Sequence, residues 1–304
     1  MLHHRTAFLG IPGTGKSVAG LSYPGVEMHE FGSSEFDTAL GFVGRTDILP
    51  PVKLDWFDCL SEEEKAKFTN EQVNEVEIGL LTKRARAKNI ARYRRYLYGL
   101  KKDLLEGKRS ELQTIFLDNF TPFSLDFQDY VEIVYGQEFI TEKGNFNSIK
   151  FSIKYQQEVS DFLRFLVTMP CHVVLSCHVS MTVDEETAAK ASFMEDTKKG
   201  IRYAKEWTPL IMGKSKYVFT GIFTWAFFLY TEERPGLSTR YFAKLEADSS
   251  TVGIGKSRVQ PFVNPRQIEF PRCRFYPVFQ QALEAYLKEG KLVANPDGRS
   301  VGSA

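Results

Sequence analysis

The chain has 304 residues, of which 43% are apolar, 25% charged and 13% aromatic. That is enough to build one or two domains with their own core, and it excludes a collagen, a coiled-coil rod and a wholly disordered chain. Lys and Arg number 39 against 38 Asp and Glu, a net charge of +1, so only the distribution of charge can speak for or against a nucleic-acid partner.

The first landmark is Gly10-Ile11-Pro12-Gly13-Thr14-Gly15-Lys16-Ser17, which satisfies GxxxxGK[ST] in full. Residues 6–9 before it predict a strand, and residues 18–21 from Val18 onward predict a helix, the setting a phosphate-binding loop requires. Glycines let the backbone curl so that its N–H groups point at phosphate oxygens, and the following helix N-terminus adds a favourable field. Lys16 would then reach the β and γ phosphates, and Ser17 would hold Mg²⁺ through its hydroxyl. The helix must be short, because residues 22–25 read Ser-Tyr-Pro-Gly. Residues 26–31 predict a second strand of mixed pattern, on which Glu27 and Glu30 can be solvent-facing residues. No NKxD-like guanine-reading motif occurs, which favours ATP.

From Lys16 to Asp118 is 102 residues, more than a plain crossover between strands needs, so residues 52–110 read as a helical insertion. Its first half is acidic, and Ser61 with Glu64 predicts a capping box. Its second half reverses sign: residues 83–102 hold nine basic residues and no acidic one. Arg84, Lys88, Arg92 and Arg95 follow helical spacing beside an apolar stripe of Ile90, Tyr93 and Leu97. Such a face can track a phosphate backbone while Tyr96 and Tyr98 stack on bases. It can equally be a solvated face that pairs with the acidic half or with a neighbouring subunit.

Residues 114–117 predict an apolar strand ending in Asp118, the form of a Walker B site, where the carboxylate would orient the water shell of Mg²⁺. A helix over about 151–168 follows, then a strand over 171–177 closed by His178, which would hydrogen-bond the γ-phosphate or its attacking water, or be a satisfied structural histidine. Beyond it, residues 201–214 are basic and aromatic. Residues 216–222 and 225–231 predict two central strands, and 240–245 with 251–256 a hairpin-like end to the sheet. Residues 278–287 predict a closing helix with Phe279, Leu283 and Leu287 inward, and 295–304 a frayed end.

The four cysteines form no CxxC pair, and the longest apolar stretch, near 222–230, is too short to span a membrane. The start carries no long apolar run, which predicts no signal peptide. The expected setting is reducing and cytoplasmic, an infected host cell included.

In their order, these segments resemble the RecA/RadA-like P-loop ATPases, and within them the phage nucleotide-binding proteins that anneal single strands. The resemblance covers roughly residues 1–50 and 110–260. It rests on the phosphate loop, His29-Glu30-Phe31-Gly32, Leu117-Asp118-Asn119-Phe120-Thr121, Cys177-His178-Val179-Ser180 and Gly255-Lys256-Ser257-Arg258. It implies a three-layer α/β core over 1–260 carrying the helical insertion, with 261–304 as a C-terminal extension packed on it. It implies Glu30 as the water-activating residue, with Glu35 and Asp37 as reserves, His178 as sensor, and Lys256 and Arg258 as cations reaching a neighbour's nucleotide in a homo-oligomeric ring or filament. It also implies a DNA-contacting segment just beyond the sensor, with Lys198, Lys199, Arg202, Tyr203, Lys205, Trp207 and Lys214 as the contacts to single-stranded DNA. The expected activity is Mg²⁺-dependent ATP hydrolysis in phage recombination. Two rivals remain: a helicase-like or loader motor, and a nucleotide-gated interaction protein that never meets DNA.

Overall fold

The computed structural model describes residues 3–31, 35–70, 73–183, 205–211, 219, 221–232, 239–244, 256–257 and 267–289. A ten-stranded, mostly parallel sheet forms the middle layer. Its strands are β1 (Arg5–Gly10), β2 (Val26–Glu30), β3 (Val52–Lys53), β4 (Thr114–Asp118), β5 (His172–Val183), β6 (Lys205–Pro209), β7 (Trp225–Glu232), β8 (Arg240–Lys244), β9 (Lys256–Ser257) and β10 (Gln267–Phe270). The order across the sheet is β10-β8-β7-β1-β5-β4-β2-β3, with β6 on the far end of β5 and β9 on β7. Strands β7 through β3 in that order run parallel, and β8 and β10 close one edge antiparallel.

Both faces of the sheet are covered, as the near-continuous apolar runs of β1, β4 and β5 require. One face packs α1 (Lys16–Gly20), α2 (Glu35–Val43) and α7 (Phe275–Glu289) on Phe8, Met28, Phe116, Val174 and Phe227. The other packs α4 (Glu75–Leu105), α5 (Phe120–Tyr135) and α6 (Ser148–Leu166) on Leu9, Ile115, Leu117, Val173 and Leu175. The molecule is thus a three-layer α/β sandwich, and in the C-terminal segment β10 pairs with β8 while Phe279 and Leu283 of α7 are buried.

Residues 52–110 are more closely integrated than an appended insert. After the short α3 (Glu62–Lys67), which carries the expected Ser61–Glu64 capping box, comes the 31-residue α4. Asn74 caps its first turn by accepting from the Glu77 amide at 2.8 Å. Ile90, Tyr93, Leu97 and Leu100 lie in the main core, so α4 is one of the layer helices and β3 extends the sheet beside β2.

Four expectations change. The β4-to-β5 connection holds two helices, because α5 starts directly at Phe120, capped by Asn119. β5 does not stop at His178 but runs on to Val183, where it pairs antiparallel with β6. Lys205 and Trp207 therefore stand on a strand and not in a loop; a hairpin gives their backbone partners that a loop would lack. Phe219, Gly221 and Ile222 are helical instead of extended, and of the two predicted strands Trp225–Glu232 is the one found among the described residues. The hairpin-like end also differs: Lys256, the one described residue of 251–256, lies in the short β9, which pairs with β7 and not with β8.

Candidate functional site

The C-terminal edge of the parallel strands gathers the predicted site. Register pairs Gly10 with His178 and Glu30 with Asp118. β5 lies between β1 and β4, so Asp118 is two strand spacings, about 10 Å, from the loop strand. Side chains alternate along a strand. Phe8, Met28, Phe116 and Val174 point to the α1 face, so Glu30, Asp118, Ser176 and His178 share that face, at the end where α1 begins. The strand order thus brings the Gly10–Ser17 loop and the four polar side chains to one edge and one side.

The loop itself has the expected backbone. Gly13 and Gly15 have φ of 82° and 79°, a left-handed conformation that a side chain would strain. Thr14 Oγ1 donates to the Ile11 carbonyl at 2.9 Å. Lys16 is only 5% exposed, and its Nζ donates to the carbonyls of Gly10 (3.1 Å) and Ile11 (2.8 Å). Its charge is therefore folded back onto the loop it would serve, and Ser17 follows it in α1, partly exposed. Ile11, Pro12 and Gly13 are exposed at the loop tip, while Val18 anchors α1 in the core.

Asp118 is buried and accepts from the Ser176 hydroxyl across the β4–β5 junction. The Asp118–Asn119 peptide bond is cis. Thr121, in the first turn of α5, accepts the His178 amide at 3.0 Å, and the His178 carbonyl accepts the Leu210 amide at 2.8 Å, so the β5–β6 hairpin is tied to the site edge. Glu30 and Glu27 are buried, against the solvent-facing alternative. A Glu30 carboxylate oxygen accepts the Phe36 amide of α2 at 2.7 Å, and Asp37 lies exposed on that helix. The side chain of Glu35 lies outside the described residues.

Ser176 and Thr121 were missed in the sequence. Ser176 was legible in principle: it is two residues before His178, hence on the same face.

Behind β2 lies a buried polar cluster that the sequence did not announce. Glu27 accepts from Tyr96 (2.9 Å) and Arg109 (2.7 Å) and is 3.0 Å from His29 Nε2, while His29 Nδ1 meets the Tyr93 hydroxyl at 2.6 Å. Burial alone would push the Glu27 carboxyl up; the His29, Arg109 and Tyr96 hydrogen bonds and the His29 charge outweigh it and hold the group at about 2. This cluster pins α4 to the strand that ends in Glu30.

On α4 the basic residues divide. Lys83 pairs with Glu132, Arg86 with Asp126 and Asp129, and Arg94 with Glu158, all acids of α5 and α6 and not of the acidic half of 52–110. Arg92 donates to the Asp55 carbonyl and to Asn89. Arg84, Lys88 and Arg95 are exposed and make no ion pair among the described residues. Lys198, Lys199, Arg202, Tyr203, Lys214 and Arg258 lie outside the described residues, as do the side chains of Lys205, Trp207 and Lys256.

No family model and no curated protein matches the chain in sequence. Among the described residues, no three His, Cys, Asp or Glu side chains converge as a metal-ligand set, and no helix is long and apolar enough to cross a membrane.

Proposed function

We propose that the chain is a RecA-like, Mg²⁺-dependent ATPase that binds single-stranded DNA under nucleotide control, in annealing or strand exchange during phage recombination. The observation that carries this reading is the convergence of the Gly10–Ser17 loop with Asp118, Glu30 and His178 on one edge and one face of the sheet. In open α/β sheets that is where ligands bind.

On this reading the loop amides cradle the phosphates, and Lys16 leaves the Gly10 and Ile11 carbonyls to meet the β and γ oxygens. The donor set suits Mg²⁺: one hydroxyl, Ser17, and one carboxylate, Asp118 acting through water, with phosphate oxygens completing the shell. When bound, the ion would neutralise charge on the phosphates. Ser176 holds Asp118 in position. Glu30, steadied by the Phe36 amide, takes the proton of the attacking water, and His178 reads the γ-phosphate and passes its state to the β5–β6 hairpin. Lys256 and Arg258 complete the site of an adjacent protomer.

For DNA, the α4 surface supports a narrower set than the spacing suggested. Arg84, Lys88 and Arg95 form an exposed stripe about 16 Å long, whereas Arg92 is engaged within the fold. The segment around Lys198–Lys214 supplies the second contact.

The test is ATP hydrolysis and assembly state, measured with and without single-stranded DNA beside Lys16→Ala. Stimulation by DNA that vanishes in the variant supports the reading. Directional unwinding coupled to hydrolysis would favour the motor. Hydrolysis that ignores DNA would favour the nucleotide-gated interaction protein, and no affinity for any nucleoside triphosphate with Mg²⁺ would end the proposal.

A further inference from the structure

The opposite edge of the sheet holds a second feature that plays no part in this chemistry. α1 runs away from the phosphate loop and ends at Gly20. The chain turns through Ser22 and Pro24, where the first residue of β4, Thr114, donates to the Pro24 carbonyl at 2.7 Å. Between this turn, the end of α2 and the start of α7 lies a cavity of about 510 Å³, within the range of small-ligand pockets.

Its lining includes Phe42, Arg45, Arg272, Cys273, Arg274 and Tyr276, with no carboxylate among the described residues. Arg45 has spent its donors: Nη1 serves the carbonyls of Ser22 (2.6 Å) and Tyr23 (3.0 Å), and the rest of the fork serves Asp47. It builds the wall, and Asp47 balances its charge. Arg272 and Arg274 have no ion pair among the described residues. The Arg272 guanidinium lies 3.5 Å from the centre of the Phe42 ring. Stacking occupies the face of a guanidinium and leaves its N–H edge for a planar anion.

Cys273, between the two arginines, has φ of 72°, and its Sγ donates to the Phe42 carbonyl at 2.7 Å. A non-glycine residue held there costs free energy that its surroundings must offset. The same turn brings Arg272 and Arg274 to one cavity. Among the described residues the lining thus carries two positive charges without an ion-pair partner beside two aromatic rings, with room for a molecule of mononucleotide size.

We propose that this cavity is a second anion site that takes a phosphate group, held by the N–H edges of Arg272 and Arg274, with Phe42 and Tyr276 beside the body that bears it. The phosphate belongs either to a small molecule or to a nucleic-acid strand. The proposal stands on these residues alone and does not need the phosphate loop to bind nucleotide.

The experiment uses the full chain carrying Lys16→Ala, so that the phosphate loop does not contribute. Alkylation of Cys273 is followed by peptide mass spectrometry, with half-buried Cys59 as internal control. The probes are inorganic phosphate, AMP and a 15-residue oligothymidylate, without Mg²⁺. At ten times its Kd a bound probe should slow Cys273 alkylation about tenfold and leave Cys59 unchanged. Protection should be lost in Arg272→Ala/Arg274→Ala and be partly kept in Arg272→Lys/Arg274→Lys, which retains charge without the fork. Protection by phosphate and AMP assigns the small-molecule source; protection by the oligonucleotide alone assigns the strand. Failure of all three probes, or protection that survives loss of both arginines, overturns the site.

Discussion

Glu27 offers the sharpest test of the packing between α4 and the site strand. Replacing it with Gln keeps the shape and removes the charge on which His29, Tyr96 and Arg109 converge. A carboxyl at about 2 in the fold and near 4.5 in the unfolded chain contributes about 3 kcal/mol at neutral pH, at 1.36 kcal/mol per pH unit. The side chain is 5% exposed, so little of this is screened by solvent. Because the folded value is depressed, the contribution is complete above about pH 5 and drains as pH falls from 4.5 toward 2. At about pH 3.5 some 2 kcal/mol should remain. Urea unfolding of wild type and Glu27→Gln, repeated from pH 7 downward, gives the gap directly. A gap below about 1 kcal/mol at pH 7, or one that does not narrow in acid, would refute the argument that charge and not mere hydrogen bonding holds this cluster.

Three further outcomes are expected. Leu97→Ala, in the core stripe of α4, should cost about 2–5 kcal/mol in denaturant unfolding; a cost near zero would mean that residues 52–110 are a detachable insert after all. Ser176→Ala removes the hydroxyl that donates to Asp118 and, on the proposed ATPase reading, should raise the Mg²⁺ concentration needed for half-maximal hydrolysis about 10- to 100-fold with the fold intact by circular dichroism. An unchanged Mg²⁺ titration would sink that role. His172 is held down at about 3, first by burial and then by its cationic neighbours His4, His3 and Arg5. The unfolded chain therefore takes up a proton that the fold refuses, and stability should fall by about 1.4 kcal/mol per pH unit below 6.5. His172→Gln, which retains an acceptor for the His4 amide, should flatten that slope between pH 6.5 and 5 in the same unfolding assay.

What the sequence determined by itself was local. The backbone of the Gly10–Ser17 loop needs only contiguous residues and two glycines, Gly13 and Gly15, free to adopt positive φ. The strand ends at Glu30 and Asp118 follow from short apolar runs closed by an acid, and the core face of α4 from apolar residues at helical spacing. The capping box at Ser61 is a four-residue pattern, closed by Glu64. α5 was legible too, for Phe120, Phe123, Phe127 and Val131 repeat at helical intervals behind an Asn cap; the density of phenylalanine hid the period.

Tertiary structure decided everything that depends on which strand lies beside which. Ser176 meets Asp118 across 58 positions only because β5 separates β1 from β4. Two adjacent basic residues of α4 fare differently, Arg94 paired with Glu158 and Arg95 left in solvent, because successive helical residues point about 100° apart and only Arg94 is turned toward α5 and α6. Arg45 reads as a loop cation in the chain, and in the fold it forms the wall of a cavity completed by residues more than 220 positions later. Such pairings are set by the order of crossovers and the packing of layers, which no window of sequence contains.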